Sequence, residues 1–161
     1  MSVRLACAAA LVMLYGAQAS ASVVNVQGQL LPPACRVHDG ANGTIDIDFG
    51  DDININRLNG NSYRQVVNYQ VSCGSDSQQW PLRLRFEGIA SSWDGQALAT
   101  SDANLGIRLA LSGMVVDFNV NIPVSDAANL PVLTAVPVRN SAVSPREGQF
   151  TATANLLAEY Y

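Results

Sequence analysis

The apolar residues of this chain recur at every second position over most of its length. Ile45, Ile47 and Phe49 alternate with Asp46 and Asp48, and Val67, Tyr69, Val71 and Cys73 alternate with Asn68, Gln70 and Ser72. Trp80, Leu82, Leu84 and Phe86 are separated by Pro81, Arg83 and Arg85; Leu105, Ile107, Leu109 and Leu111 by Gly106, Arg108 and Ala110; Val116, Phe118, Val120 and Ile122 by Asp117, Asn119 and Asn121. Successive side chains of a strand point to opposite faces, so each run buries one face and wets the other. Between the runs lie Asp39-Gly40, Asn42-Gly43, Asn59-Gly60, Asp94-Gly95 and Ser112-Gly113, pairs that accept the positive φ of tight turns. Short strands punctuated in this way predict an all-β, immunoglobulin-like sandwich with no sustained helix. Residues 124–131 are the one stretch with the composition of a short helical turn.

With 161 residues, 48% hydrophobic and 14% charged, the chain has the composition of one packed domain rather than of a disordered tail. The formal net charge is −4 and all nine cations are arginine. Nucleic-acid and anionic-membrane binding, which need a basic face, are therefore not expected. One histidine and three cysteines supply little for metal centres or histidine-dependent catalysis.

The first residues predict a secretion signal: a basic Arg4, an apolar run from Leu5 to Tyr15, then small residues at Ala17, Ala19 and Ala21. The run is about half of the roughly 20 residues that span a bilayer, so stable membrane insertion is not expected. Cleavage after Ala19 or after Ala21 both fit, and either removes Cys7. The mature chain then holds Cys35 and Cys73, and the secreted context makes a disulfide between them the expectation. The alternative, two reactive or metal-binding thiols, lacks a Cys-x-x-Cys spacing and a histidine pair.

Both ends of the mature chain are patterned, whereas termini ordinarily fray. Phe150, Ala152, Ala154, Leu156, Ala158 and Tyr160 share one face of an extended C-terminal run, opposite Thr151, Thr153, Asn155, Leu157 and Glu159. Near the start, Val24, Val26, Gly28 and Leu30 alternate with Asn25, Gln27 and Gln29 before Pro32-Pro33, a pair that cannot donate ladder hydrogen bonds and so interrupts regular pairing. Two readings stand. Either both ends are strands of a closed sandwich, or the leading stripe belongs in another molecule's sheet, since an exposed edge beside a missing strand must be covered.

These features together resemble the pilin subunits of the chaperone–usher pathway, and most closely the minor tip adaptors of P-type fimbriae. The resemblance is carried by the signal sequence, the stripe from Val24 to Leu30 followed by Pro32-Pro33-Ala34-Cys35, the Ile47-Asp48-Phe49-Gly50 segment, and Cys73 at a strand end. Val136-Pro137-Val138-Arg139-Asn140, Gly148 fourteenth from the end and the penultimate Tyr160 complete it. It implies an incomplete immunoglobulin-like sandwich lacking its last strand, with a signal peptide at 1–21, an N-terminal donor-strand extension at 22–31 and a pilin domain at 32–161. It further implies that Val24, Val26 and Leu30 plug a neighbouring subunit's groove, with Gly28 where the backbone approaches that groove closely. Three such side chains contribute roughly 5–9 kcal/mol before ordering costs. Gly148, Phe150, Ala152, Ala154, Leu156, Ala158 and Tyr160 would belong to one groove wall, and the Tyr161 carboxylate would be gripped by basic residues of the chaperone.

The partners so implied are a periplasmic chaperone, an outer-membrane usher, neighbouring pilin subunits and a tip adhesin, on the route through the periplasm to a cell-surface fimbria involved in cell adhesion. No enzymatic activity or cofactor is expected. The alternatives are a major rod subunit, a chain terminator, or a glycan-binding adhesin, although adhesins of this pathway resemble two-domain proteins without a donor extension.

Other candidate chemistry is thin. His38 has no second ligand or nucleophile motif near it in sequence. Asp52-Ile53-Asn54-Ile55-Asn56 begins like a calcium loop, but Arg57 stands where glycine is needed and Tyr63 where a bidentate glutamate belongs, so a polar loop is expected. Asp46 and Asp48 read as the wet face of a strand. Asn42-Gly43-Thr44 fits a glycosylation triplet but reads as a turn. Trp80 lies on an apolar stripe and is expected in the core; Trp93, in the Ser91–Gly95 loop, could stack on a sugar.

Overall fold

The computed structural model describes residues 25–29, 35–41, 43–74 and 81–161. The signal sequence, Val24, Leu30, Asn42 and Trp80 lie outside these. The chain divides into two units, Met1–Leu30 and Leu31–Tyr161. In the first, residues 25–29 belong to no helix or strand and Val26 is exposed.

Among the described residues the second unit contains ten strands: β1 (Cys35–His38), β2 (Gln65–Val67), β3 (Gln70–Cys73), β4 (Leu82–Glu87), β5 (Ala97–Ala99), β6 (Leu105–Leu111), β7 (Met114–Val115), β8 (Asn121–Val124), β9 (Leu133–Arg139) and β10 (Asn155–Tyr160). Every pairing is antiparallel, in the orders β2-β9-β6-β5 with β7 on β6, β10-β4-β8, and β1-β3. The register explains the core. Leu111 faces Leu133 and Leu109 faces Ala135 in one sheet, while Leu84 faces Ala158 and Leu82 faces Tyr160 in the other. These partners share a face, are buried, and pack into one cluster with Phe86, Leu98, Ile107 and Val67. The opposite face of β4 and β10 is polar, where Arg83 Nη2 meets Glu159 Oε2 at 3.0 Å and Arg85 Nη2 meets Glu87 Oε1 at 2.8 Å.

Cys35 and Cys73 are directly paired in the β1-β3 ladder and joined by a disulfide. His38, at the end of β1, is buried; its Nε2 bonds Ser72 Oγ at 2.8 Å and its Nδ1 bonds the Asp39 carbonyl. Ser112 and Gly113 both adopt positive φ (47° and 85°) and turn β6 into β7, as their composition predicts.

The alternating runs differ from continuous strands at four places. The run 67–73 is broken after Val67, because β2 pairs with β9 whereas β3 pairs with β1; the chain changes sheets at Asn68-Tyr69, where the Tyr69 hydroxyl donates to the Pro131 carbonyl at 2.8 Å. The run 116–122 buries Val116 and Phe118 but kinks at Asn119 (φ 63°), whose amide donates to the Phe86 carbonyl, and only β8 beyond it joins a ladder. Residues 45–49 and 150–154 enter no ladder at all. The stretch 124–131 forms the end of β8 and one turn, with Asn129 N bonded to Asp126 O at 3.2 Å, rather than a helix. The polar stretch after Asp52 includes a single 3₁₀ turn, Ile55–Arg57, capped by the Asn54 side chain.

Candidate functional site

The two segments without a ladder form the walls of a groove. Ile45 and Phe49 on one side and Phe150, Ala154 and Leu156 on the other are partly buried and pack on the core cluster. Between the walls lies a cleft of about 650 Å³ whose floor is the core itself: Val67, Phe86, Leu98, Ile107, Leu109 and Leu133. A second cleft of about 630 Å³ is lined by Ile53, Ile55, Leu58, Leu105 and Pro145, and shares Ile47, Asp48, Phe49, Phe150 and Thr151 with the first. The rings of Phe49 and Phe150, 6.3 Å apart between centroids, therefore stand where the two clefts meet.

The local sequence explains why this seam is open. β10 pairs with β4 from Asn155 opposite Glu87 to Tyr160 opposite Leu82, so residues 150–154 run past the end of their partner. Beyond Phe150, the cleft is lined there by the exposed Ala152 and the partly buried Ala154, too small to fill the space that the larger residues of a closing strand would occupy. On the facing wall Ile47 is still 36% exposed although its neighbours at 45 and 49 are packed inward. A fully extended segment rises about 3.3 Å per residue, so walls of five to six residues match a strand of ordinary length. Each wall also carries backbone donors and acceptors outside any ladder, the condition under which a strand edge accepts another chain.

The C-terminal wall is fastened to the 100–105 turn. Ser101 N donates to Thr151 O at 2.9 Å and Thr151 N donates to Ser101 Oγ at 3.0 Å. Asp102, buried, accepts from Arg146 N at 2.9 Å and from Asn104 N at 2.8 Å, with Arg146 Nε at 3.5 Å. The Arg146 and Asn104 amides, with the Arg146 guanidinium, hold its carboxyl below the usual carboxylate range despite burial. At the sheet change opposite, burial pushes the Tyr69 hydroxyl up to about 12.

Of the residues singled out in the sequence, Gly148, Phe150, Ala152, Ala154 and Leu156 line the groove. Gly148 has a φ of 131°, a conformation that L side chains rarely adopt. Ala158 and Tyr160 are buried in the core and line neither cleft. Tyr161, half exposed, donates its amide to the Pro81 carbonyl and lies 5.2 Å beneath the Arg83 guanidinium. Trp93 is partly buried, its indole N–H bonded to the Ala103 carbonyl at 2.8 Å. Sequence reading treats Ile45, Ile47 and Phe49 as a strand of the sandwich and overlooks Ser101 and Asp102; polar turn residues carry no periodic signal, and only the 146–151 contacts identify them. Among the described residues no group of His, Cys, Asp and Glu could hold a metal ion, and no helix is long and apolar enough to cross a membrane.

Comparison with known proteins agrees with this geometry. Residues 24–161 match the family model described as fimbrial protein. The fimbrial-like protein YfcQ of Escherichia coli (strain K12) is 32% identical over 151 residues, covering 89% of this chain and 90% of the relative. YfcR from the same organism is 29% identical over 140 residues, covering 80% of this chain and 74% of the relative. Among solved structures, the P pilus rod subunit PapA superposes with a TM-score of 0.62 at 22% identity, over 86% of this chain and all (100%) of that one. The P pilus adaptor subunit PapF gives a TM-score of 0.56 at 23% identity, over 81% of this chain and 98% of that one.

Proposed function

This chain belongs to the fimbrial protein family, and on that premise we propose that it is a structural subunit of a surface fimbria built along the chaperone–usher route, acting as the minor tip adaptor. The observation that carries the reading is the groove: a cleft between two wall segments that enter no ladder, with core side chains at its base. A strand from another molecule laid between residues 44–49 and 150–154 would pair with the wall backbones and fill the cleft between them. This is β-augmentation, in which main-chain hydrogen bonds supply affinity and alternate side chains fill pockets. During folding the occupant would be a strand of a periplasmic chaperone, with the Tyr161 carboxylate held by the chaperone's basic residues. In the fibre it would be the N-terminal extension of the next subunit, exchanged at an outer-membrane usher.

The chain's own extension, residues 22–31 after removal of a signal peptide ending at Ala19 or Ala21, would fill the groove of the preceding partner, a tip adhesin. Val24, Val26 and Leu30 are its plugs, and Gly28 lets the backbone sit close to that groove. The adaptor role rests on the order and spacing of the motifs from Val24 to Tyr160; a rod subunit would use the same groove and differ in copy number along the fibre.

The test is to co-express Gly28→Leu and Val26→Asp variants with the cognate chaperone and usher. Both should form the chaperone complex and fail to enter fibres, as judged by subunit content of sheared fimbriae. Normal incorporation of both variants would overturn the donor-strand assignment, and a copy number matching the rod would replace adaptor by rod subunit.

A further inference from the structure

The segment that leads into the C-terminal groove wall has little packing of its own. Residues 141–149 are exposed apart from the buried Pro145, and Gly148 within them adopts a φ of 131°. Outside the β10 ladder, the described backbone hydrogen bonds of residues 145–154 all go to two neighbours in the turn between β5 and β6. Arg146 N is held by Asp102 Oδ2 at 2.9 Å, and Thr151 exchanges two bonds with Ser101, at 2.9 and 3.0 Å. These anchors bracket Gly148, the one residue of the wall with a left-handed φ.

The turn that supplies them is itself stiff. Thr100 Oγ1 donates to Asp102 O at 2.9 Å and accepts from Asp102 N at 3.1 Å; Leu105 N donates to Asp102 O at 3.1 Å as β6 begins. The anchors are thus mounted on the central sheet, opposite the half of the groove that β4 does not support.

We propose that Ser101 and Asp102 are positioning residues that hold the 145–151 wall in the extended geometry that accepts an incoming strand. This rests on the reading that the groove receives a strand. Ser101 bonds the wall backbone at Thr151 and Asp102 bonds it at Arg146, so both act by fixing the backbone on either side of Gly148. Released from them, the wall would pivot at Gly148, and Phe150 would no longer be held opposite Phe49. Apparent affinity for a strand scales with the fraction of molecules whose wall is in place, so a wall in place about one tenth of the time binds about tenfold more weakly.

The experiment uses the full mature chain and, as a probe of the donor-strand type whose main-chain pairing such a groove accepts, a fluorescently labelled synthetic peptide with the sequence of residues 22–31, followed by anisotropy. The variants are Ser101→Ala with Asp102→Ala, the milder Ser101→Ala alone, and Asp94→Ala as a control. Asp94 is chosen because its carboxylate holds Arg108 at 2.6 and 2.9 Å, away from the wall. The double variant should bind at least tenfold more weakly and associate more slowly, Ser101→Ala a few-fold more weakly, and Asp94→Ala as the wild type does even where its melting temperature falls. Equal binding by wild type and both Ser101 variants would overturn the positioning role while leaving the groove reading intact. Equal weakening by Asp94→Ala would also overturn it, by assigning the loss to general destabilisation. Failure of the wild-type chain to bind the peptide would instead remove the groove reading and this inference with it.

Discussion

Removing the Cys35–Cys73 bridge should cost this domain a large share of its stability while leaving its contacts almost unchanged. The two half-cystines are 38 residues apart, and the loop they close contains the whole 44–49 wall of the groove. In the chain-entropy account a loop of that length restricts the unfolded state by about 4 kcal/mol at 25 °C. Domains of this size are stable by about 5–15 kcal/mol, so the loss is a quarter or more of the total. With an m-value of about 2 kcal/mol per molar urea, the midpoint of Cys35→Ala/Cys73→Ala should fall by about 2 M. The assay is urea unfolding with the groove occupied by the 22–31 peptide at saturating concentration, followed by far-ultraviolet circular dichroism. Wild type unfolded under reducing conditions should coincide with the double variant. A shift below about 0.5 M, with an unchanged m-value, would refute the argument that this bridge acts by constraining the unfolded chain.

Ala152→Phe places a ring where the groove is lined by a small side chain, so peptide binding should weaken about tenfold or more while the fold is retained, measured by anisotropy and circular dichroism. Tyr69→Phe deletes the bond to the Pro131 carbonyl and should destabilise the domain by about 1 kcal/mol in urea unfolding at neutral pH. Because the folded-state value of Tyr69 is raised to about 12, its contribution is complete below the ordinary tyrosine value of about 10 and is lost as pH rises through 12; Tyr69→Phe should therefore flatten the alkaline limb of the stability profile. Asp102 shows the opposite sign: its folded-state value is lowered, so its contribution is present above the ordinary carboxylate value of about 3.9 and is lost as pH falls through the lowered one, and Asp102→Asn should flatten the acid limb of thermal melts.

The strands that pair on both sides were the most legible. Leu82, Leu84 and Phe86 are buried at the alternate positions expected of them, whereas β6, central in its sheet, is buried on both faces except at Arg108. The groove walls alternate just as clearly, at 45–49 and 150–154, and yet are not strands of any ladder. Periodicity reports which side chains turn inward; whether a neighbouring backbone lies within hydrogen-bonding distance is a property of the whole topology. The same reason hides the change of sheet at Asn68-Tyr69, where an unbroken alternation spans two ladders. Ser101 and Asp102 had no signal at all, since their role depends on Arg146 and Thr151, more than forty positions away in the chain.

Hydrogen exchange of the backbone amides at 44–49, 150 and 152–154, with and without the 22–31 peptide, tests the open seam most directly. The peptide-free domain should exchange these amides rapidly while β4, β6 and β9 remain protected, and bound peptide should bring both walls to the protection of the sheet interior. Walls already protected without any added strand would mean that the domain closes its own sandwich, and no subunit would then be needed to complete it.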